Sequence, residues 1–242
     1  GYSNQEDFNR LAVGEPIGIF MGYVFDGVYM TEEEFNSQPK HASSEIGTVR
    51  MKDVSGPNGV PDGIIDNNDR VKIGDPNPDF IYGMTNEFSW KNFDLSMLWA
   101  GNGGFKLYWE EDPYNSVAIR NGFAVSERVA NDHYFYDPEN PGDSRTNLSG
   151  YIPRLVENSK QSRQTSNYYL YNGTYMKLKN LTLGYTLPST LTDKVSAERV
   201  RVYLSGENLF TITSFPGQDP EMGASTNYPS LRQFAAGISV TF

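Results

Sequence analysis

Residues 53–70 read DVSGPNGVPDGIIDNNDR, and what this stretch offers in quantity is oxygen. Asp53, Asp62, Asp66 and Asp69 carry carboxylates, Asn58 carries an amide, and the glycines let the backbone turn sharply. Hard cations such as calcium take six to eight oxygens in flexible geometry, so a metal cradle is one reading. A solvated turn is another, because Asp, Asn and Gly tolerate left-handed backbone and cap themselves. A signature of some larger assembly is a third.

Other chemistry is sparse. The only two histidines, His41 and His133, fall on separate long segments, which argues against a zinc site or a histidine-based triad. There is no cysteine, so thiolate sites and disulfides are excluded. The acidic run EED at 110–112 reads as a solvated face, and GNGG at 101–104 lacks the lysine and helix of a phosphate loop. These residues predict no enzyme activity. Two aromatic stretches, FKLYWEEDPY and DHYFYDPENPGD, are better placed for binding. In them Tyr108, Trp109, Tyr134 and Tyr136 can stack on sugar rings while neighbouring polar groups bond hydroxyls. The alternative is that the four rings form an aromatic girdle or pack their own loop.

The chain of 242 residues carries 20 basic and 30 acidic side chains, a formal charge of −10. No basic run relieves that balance, so nucleic acid is excluded as a partner. Aromatic residues reach 14%, heavy for a soluble domain. No apolar run is long enough for a membrane helix and GYSNQEDFNR is not a signal peptide, but neither fact bears on a barrel, whose strands are weakly apolar.

Helices are few in this pattern. TEEEFNSQ predicts one short helix capped by Thr31 with Glu34 three residues on, and 117–132 is a weaker candidate. Alternation with a period of two is much stronger. In FIYGMTNEFSW, Phe80, Tyr82, Met84, Phe88 and Trp90 share a face; after Lys91 and Asn92, Phe93, Leu95, Met97 and Trp99 do so again. Leu181, Leu183, Tyr185 and Leu187 form a further strand, Val200, Val202, Leu204 and Phe210 another, and Phe234, Ala236, Ile238, Val240 and Phe242 the last. An earlier strand is expected over 17–25, with Ile19, Met21, Tyr23 and Phe25 on one side.

A soluble β-sandwich would satisfy the alternation alone. The connections decide otherwise, because they run long (26–79), short (91–92), long (102–174), short (188–199), long (211–231). Outer-membrane barrels have short periplasmic turns and long outer loops, which is this parity. The expected fold is therefore all-β: about six to eight antiparallel C-terminal strands of a large transmembrane barrel with long extracellular loops, residues 1–242 forming one portion of it. Gly237, Val240 and the terminal Phe242 resemble the signal by which such barrels are recognised for assembly.

The stretches GEPIGIFMGYVFDGVYM, DGIIDNNDRVKIGDPNPDFIYGMTNEFSWKNFDLSMLWAGNGG, YMKLKNLTLGYTLP, RVRVYLSGENLFTITSFPGQDPE and YPSLRQFAAGISVTF resemble, in order, the C-terminal part of SusC/RagA-type TonB-dependent outer-membrane transporters. That resemblance implies a bacterial outer-membrane importer of oligosaccharides, less often peptides. Its partners would be a SusD-like surface lipoprotein, TonB acting through an N-terminal part absent here, and the barrel-assembly machinery. It also implies a loop like that of an EF-hand, in which Asp62, Gly63, Ile64, Asp66 and Asp69 take the fifth, sixth, seventh, ninth and twelfth positions. Calcium would then be held by the three carboxylates and the Ile64 carbonyl, with Asp53 or Asn58 completing the shell and Ile65 anchoring the loop. The first half departs from the pattern, since Val60 at the third position has no side-chain oxygen. The competing function is a soluble, calcium-stabilised carbohydrate-binding or adhesion domain.

Overall fold

A computed structural model describes residues 9–11, 13–109, 118–119, 125–157, 164–224, 228 and 230–242. They divide into two compact units: Gly1–Asn77 with Tyr108–Tyr171, and Pro78–Leu107 with Asn172–Phe242.

The second unit is one antiparallel sheet. Its strands are β1 (Phe80–Trp90), β2 (Phe93–Gly103), β3 (Tyr175–Thr186), β4 (Arg199–Thr213) and β5 (Gln233–Thr241), each hydrogen-bonded to the next in chain order. The sheet stays open at β1 and β5. Trp90 pairs with Phe93, Tyr185 with Phe93, and Arg199 with Thr241, so the tight connections share one end. The long ones leave from the other, which is the predicted parity. Lys91 turns the β1–β2 hairpin with φ of 55°.

Register sorts the side chains onto two faces. Phe88, Leu95, Leu183, Leu204 and Ala236 form one continuous cross-strand row, and Trp90, Phe93, Tyr185, Val202 and Ile238 form the next. Most of these large apolar groups are exposed. An apolar face of this extent in water would be anomalous, whereas in a bilayer it is the surface that meets lipid. The opposite face carries Glu87, Ser96, Thr182, Ser205 and Ala235, and beside that row Arg201 forms an ion pair with Asp94 across Gly184.

Two local features shape the sheet. The register shifts between Leu178 and Asn180 against both neighbours, a bulge that aims Lys177 and Lys179 at the same acidic segment. Lys177 Nζ lies 2.6 Å from Asp219 and 2.9 Å from Glu221, while Lys179 also pairs with Glu221. Lys177 is 2% exposed and Asp219 7%, so the β4–β5 connection is docked onto the sheet by a buried ion cluster. The second feature is close packing over glycine. A Cβ on Gly237 would lie 2.4 Å from the Tyr203 ring and one on Gly101 2.2 Å from the Tyr175 carbonyl, to which Tyr82 donates its hydroxyl.

The first unit holds short sheets and turns. The expected helix is Glu32–Ser37, with the Glu34 amide donating to Thr31. Within the weaker candidate the described helix is Glu127–Asp132, capped by Ser126, while residues 117 and 120–124 lie outside the described residues. The strand expected over 17–25 is not part of the large sheet. Ile19–Gly22 pairs instead with Asn9–Arg10 and Val71–Gly74. Ile19 and Phe20 are both buried, and the Gly22 backbone abuts the Thr165 carbonyl, so this strand is enclosed on both sides and has no lipid face. Tyr23, Val49, Met51 and Ile65 form one core; Val129, Ile152 and Tyr169 form another. The long connections thus build cores of their own. No helix among the described residues is long and apolar enough to cross a membrane.

Candidate functional site

The four aromatic residues expected to face ligand separate in the structure. Trp109 is 6% exposed, its amide donates to the Tyr169 carbonyl at 2.9 Å, and its ring meets Tyr171 edge-on. Tyr108 packs between Phe20 and Tyr169. These two rings build the interior of the loop unit, and their area goes to loop cohesion. The acidic run at 110–112 lies outside the described residues. Tyr134 and Tyr136 line a cavity of about 670 Å³.

Backbone pairing positions that cavity. Tyr134 N–H donates to Ile152 at 2.7 Å, and Phe135 exchanges two bonds with Asn147, so 133–136 is a short extended rung. Gly150 is needed beside it, because a Cβ there would come within 2.5 Å of the Tyr134 nitrogen. Gly47 is the second required glycine. It adopts φ of +84°, and a Cβ would lie 2.7 Å from the Tyr134 ring and 2.9 Å from the Arg154 Cδ. Arg154 N–H donates to the Gly47 carbonyl at 2.8 Å, so the Arg154 stem and the Tyr134 ring share one platform.

Apolar walls come from Ile46, Phe135, Pro138, Leu155 and Val156; Glu32, His133 and Arg154 bring polar groups. The Tyr134 hydroxyl donates to the Met30 carbonyl at 3.1 Å, and burial, reinforced by nearby Tyr136, raises its pKa. Tyr136 lines the same hollow and is 44% exposed. Arg145 stacks over Phe135 at 4.7 Å and bonds Asp143, holding that carboxyl down to about 2. Arg154 pairs with Glu45, while its Nε–H is buried without a hydrogen-bond partner. An aromatic and aliphatic hollow with a few fixed polar groups is the common form of a small-ligand site. Arg154, Glu45 and Glu32 were not singled out from sequence, since Glu45 and Arg154 stand 109 positions apart and no spacing connects them.

The 53–69 loop closes on its own amides. Asp69 is fully buried; its Oδ1 accepts from Val54 and Ser55 and its Oδ2 from Asp66. Asp66 caps the turn Asn67–Asp69, Asp62 accepts from Ile64, and Asp53 accepts from Gly63, whose φ is +85°. Asn58 and the Ile64 side chain are exposed, and Ile65 anchors the loop in the core. One carboxylate oxygen, Asp53 Oδ1, is buried without a hydrogen-bond partner. That single oxygen falls short of a calcium shell, and among the described residues no three Asp, Glu or His converge. In this arrangement the donor set does not fit the ion.

Gly237, Val240 and Phe242 lie at the edge of the large sheet. Gly237 faces Tyr203, Val240 pairs with Val200, and Phe242 is exposed beyond the last rung.

No family model matches the chain. The TonB-dependent receptor P3 of Formosa agariphila is 32% identical over 263 residues, covering 100% of this chain and 24% of the receptor. TonB-dependent receptor SusC of Bacteroides thetaiotaomicron is 27% identical over 74% of this chain and 17% of its own length. The solved structure of the RagAB peptide importer in its closed-closed state shares the fold, with a TM-score of 0.69 at 21% identity over 96% of this chain and 25% of the other. The chain spans about a quarter or less of the relatives it matches. Likeness along the whole sequence places this chain, as the counterpart of that portion, in the family of TonB-dependent receptors.

Proposed function

We propose that this chain supplies C-terminal barrel strands and outer loops to a TonB-dependent importer in the bacterial outer membrane. The cargo is oligosaccharide or peptide, and a SusD-like lipoprotein at the cell surface works with the barrel. TonB acts through parts of the protein outside this chain, and the barrel-assembly machinery inserts the strands. The observation that carries the proposal is the sheet: five strands of membrane-crossing length, an exposed apolar face, and every long connection leaving from one end. The competing soluble module has no use for that face. Recognition is assigned to the hollow at Tyr134 and Tyr136, because long outer loops are free to vary where lipid-facing strands are not.

Replacing Tyr136 by Ala in the complete transporter tests this. Loss of one exposed stacking ring should weaken cargo binding roughly tenfold, on the order of 1 kcal/mol, with heat-modifiable gel migration unchanged. Unaltered uptake on every cargo the transporter accepts would remove the hollow from recognition.

A further inference from the structure

We infer that Glu45 makes this hollow selective for uncharged cargo. The inference rests on the hollow being a cargo site, and it names the cargo as a neutral, hydroxyl-rich chain of sugar residues. Arg154 is the one guanidinium in the lining, and a guanidinium ordinarily invites a carboxylate in two-pronged contact. Here Glu45 already holds its Nη2. Glu32 is the carboxylate of the lining itself and Glu45 is held on Arg154, so two carboxylates stand against that one guanidinium. An incoming uronate, or an acidic peptide, would meet a guanidinium already neutralised by Glu45 and the like charge of Glu32 in the same lining.

What remains on offer is different in kind. Arg154, partly exposed and paired to Glu45, keeps a guanidinium N–H as a donor suited to one oxygen of a hydroxyl group. Tyr136 offers ring faces, Phe135 adds the ring surface that Arg145 does not cover, and the Tyr134 hydroxyl is spent on Met30. Ring faces beside a lone donor match the alternating apolar faces and hydroxyl edges of neutral sugar rings. Glu45 is therefore a specificity residue that acts through Arg154. It touches no cargo itself.

Binding of the complete transporter to hexagalacturonate, to a panel of neutral hexasaccharides and to an acidic peptide library tests the inference. The unaltered protein should favour neutral glycans. Glu45→Gln, which keeps the shape and removes the charge, should raise affinity for hexagalacturonate roughly tenfold by freeing Arg154. The double change Glu45→Gln with Arg154→Gln should abolish that gain while the barrel still migrates as a folded species. A wild-type preference for hexagalacturonate or acidic peptides overturns the inference, and so does a Glu45→Gln protein with no gain. Tyr136→Ala separates the two levels: if it leaves all binding intact, the cargo site itself is elsewhere, whereas a Tyr136 effect without a Glu45 effect sinks only the charge selectivity.

Discussion

Replacing Lys177 by Met should release the β4–β5 connection from the sheet. Lys177 is buried between Asp219 and Glu221 at 2.6 and 2.9 Å, and methionine keeps the length of the side chain while removing its charge. Removing one partner of a buried pair typically costs about 3–5 kcal/mol, because the other charge stays behind without compensation. Glu221 retains Lys179, and Asp219 keeps a bond from the Glu221 amide, so the lower figure applies. About 3 kcal/mol of local stability corresponds to roughly a hundredfold faster amide exchange across 214–224. The pH dependence has a definite sign. Burial alone would raise the pKa of Asp219, but the hydrogen bond from Lys177 together with those from Ser230 and the Glu221 amide outweighs it and holds the value below normal. The wild-type contribution is therefore complete above the ordinary carboxylate range and is lost as pH falls through the depressed folded value. Without Lys177 the burial effect dominates, the Asp219 pKa rises, and protonation relieves the unpaired charge. The deficit of the variant should accordingly be largest at neutral pH and shrink on acidification. Replacing Asp219 by Leu in the same protein should recover part of the protection. Unchanged exchange at neutral pH, or a deficit that grows as pH falls, would refute this account of the ion cluster.

Asp69→Ala removes the acceptor of three backbone amides inside the 53–69 loop and should cost about 2–3 kcal/mol locally, read as faster proteolysis between 54 and 66. Millimolar calcium should not restore resistance, and calcium-dependent protection of the wild-type loop would show instead that the carboxylates rearrange around the ion. Gly237→Val should slow barrel assembly, measured by heat-modifiable migration, because the Tyr203 ring occupies the space of the new side chain; normal assembly would mean that Tyr203 swings away at no cost. Single cysteines in whole cells should be labelled by a membrane-impermeant maleimide at residue 140 and not at 91, and the reverse pattern would invert the topology.

The large sheet is plain in the sequence because each of its strands is long enough to show a period of two, and one face meets a uniform apolar solvent. Phe88 to Trp90, Phe93 to Trp99 and Phe234 to Val240 keep that phase without interruption. The bulge at Lys179 is not legible, since an extra residue is visible only against a partner strand. The loop unit is harder still. Its strands span two to four residues, too short for a period, and its cores join Tyr23 and Val49 or Val129 and Ile152 across long separations. Trp109 and Tyr136 look alike as aromatic loop residues; only the packing of Tyr169 and Tyr171 sends one inside and leaves the other at an opening. In the sequence Asp69 reads equally as a metal ligand, because a carboxylate that gathers backbone amides and one that gathers a cation need the same residue type in the same kind of turn.

The loop unit is assembled from two segments that flank the β1–β2 hairpin in sequence, and this sets an order of events during folding. Tyr23 bonds the Thr165 carbonyl and accepts from the Asn167 amide, contacts that must wait until the whole intervening chain has emerged. Strand β2 likewise waits for β3 until 104–174 has been delivered. The equilibrium cost is slight, because loop-closure entropy grows by only about 0.6 kcal/mol for each doubling of length. The cost falls on time. Through that interval β2 carries Phe93, Leu95 and Trp99 beside an unpaired backbone edge, which in water is the form of chain that pairs with its neighbours and aggregates. The time for which β2 stays open to such pairing is thus set by the length of the connection that follows it.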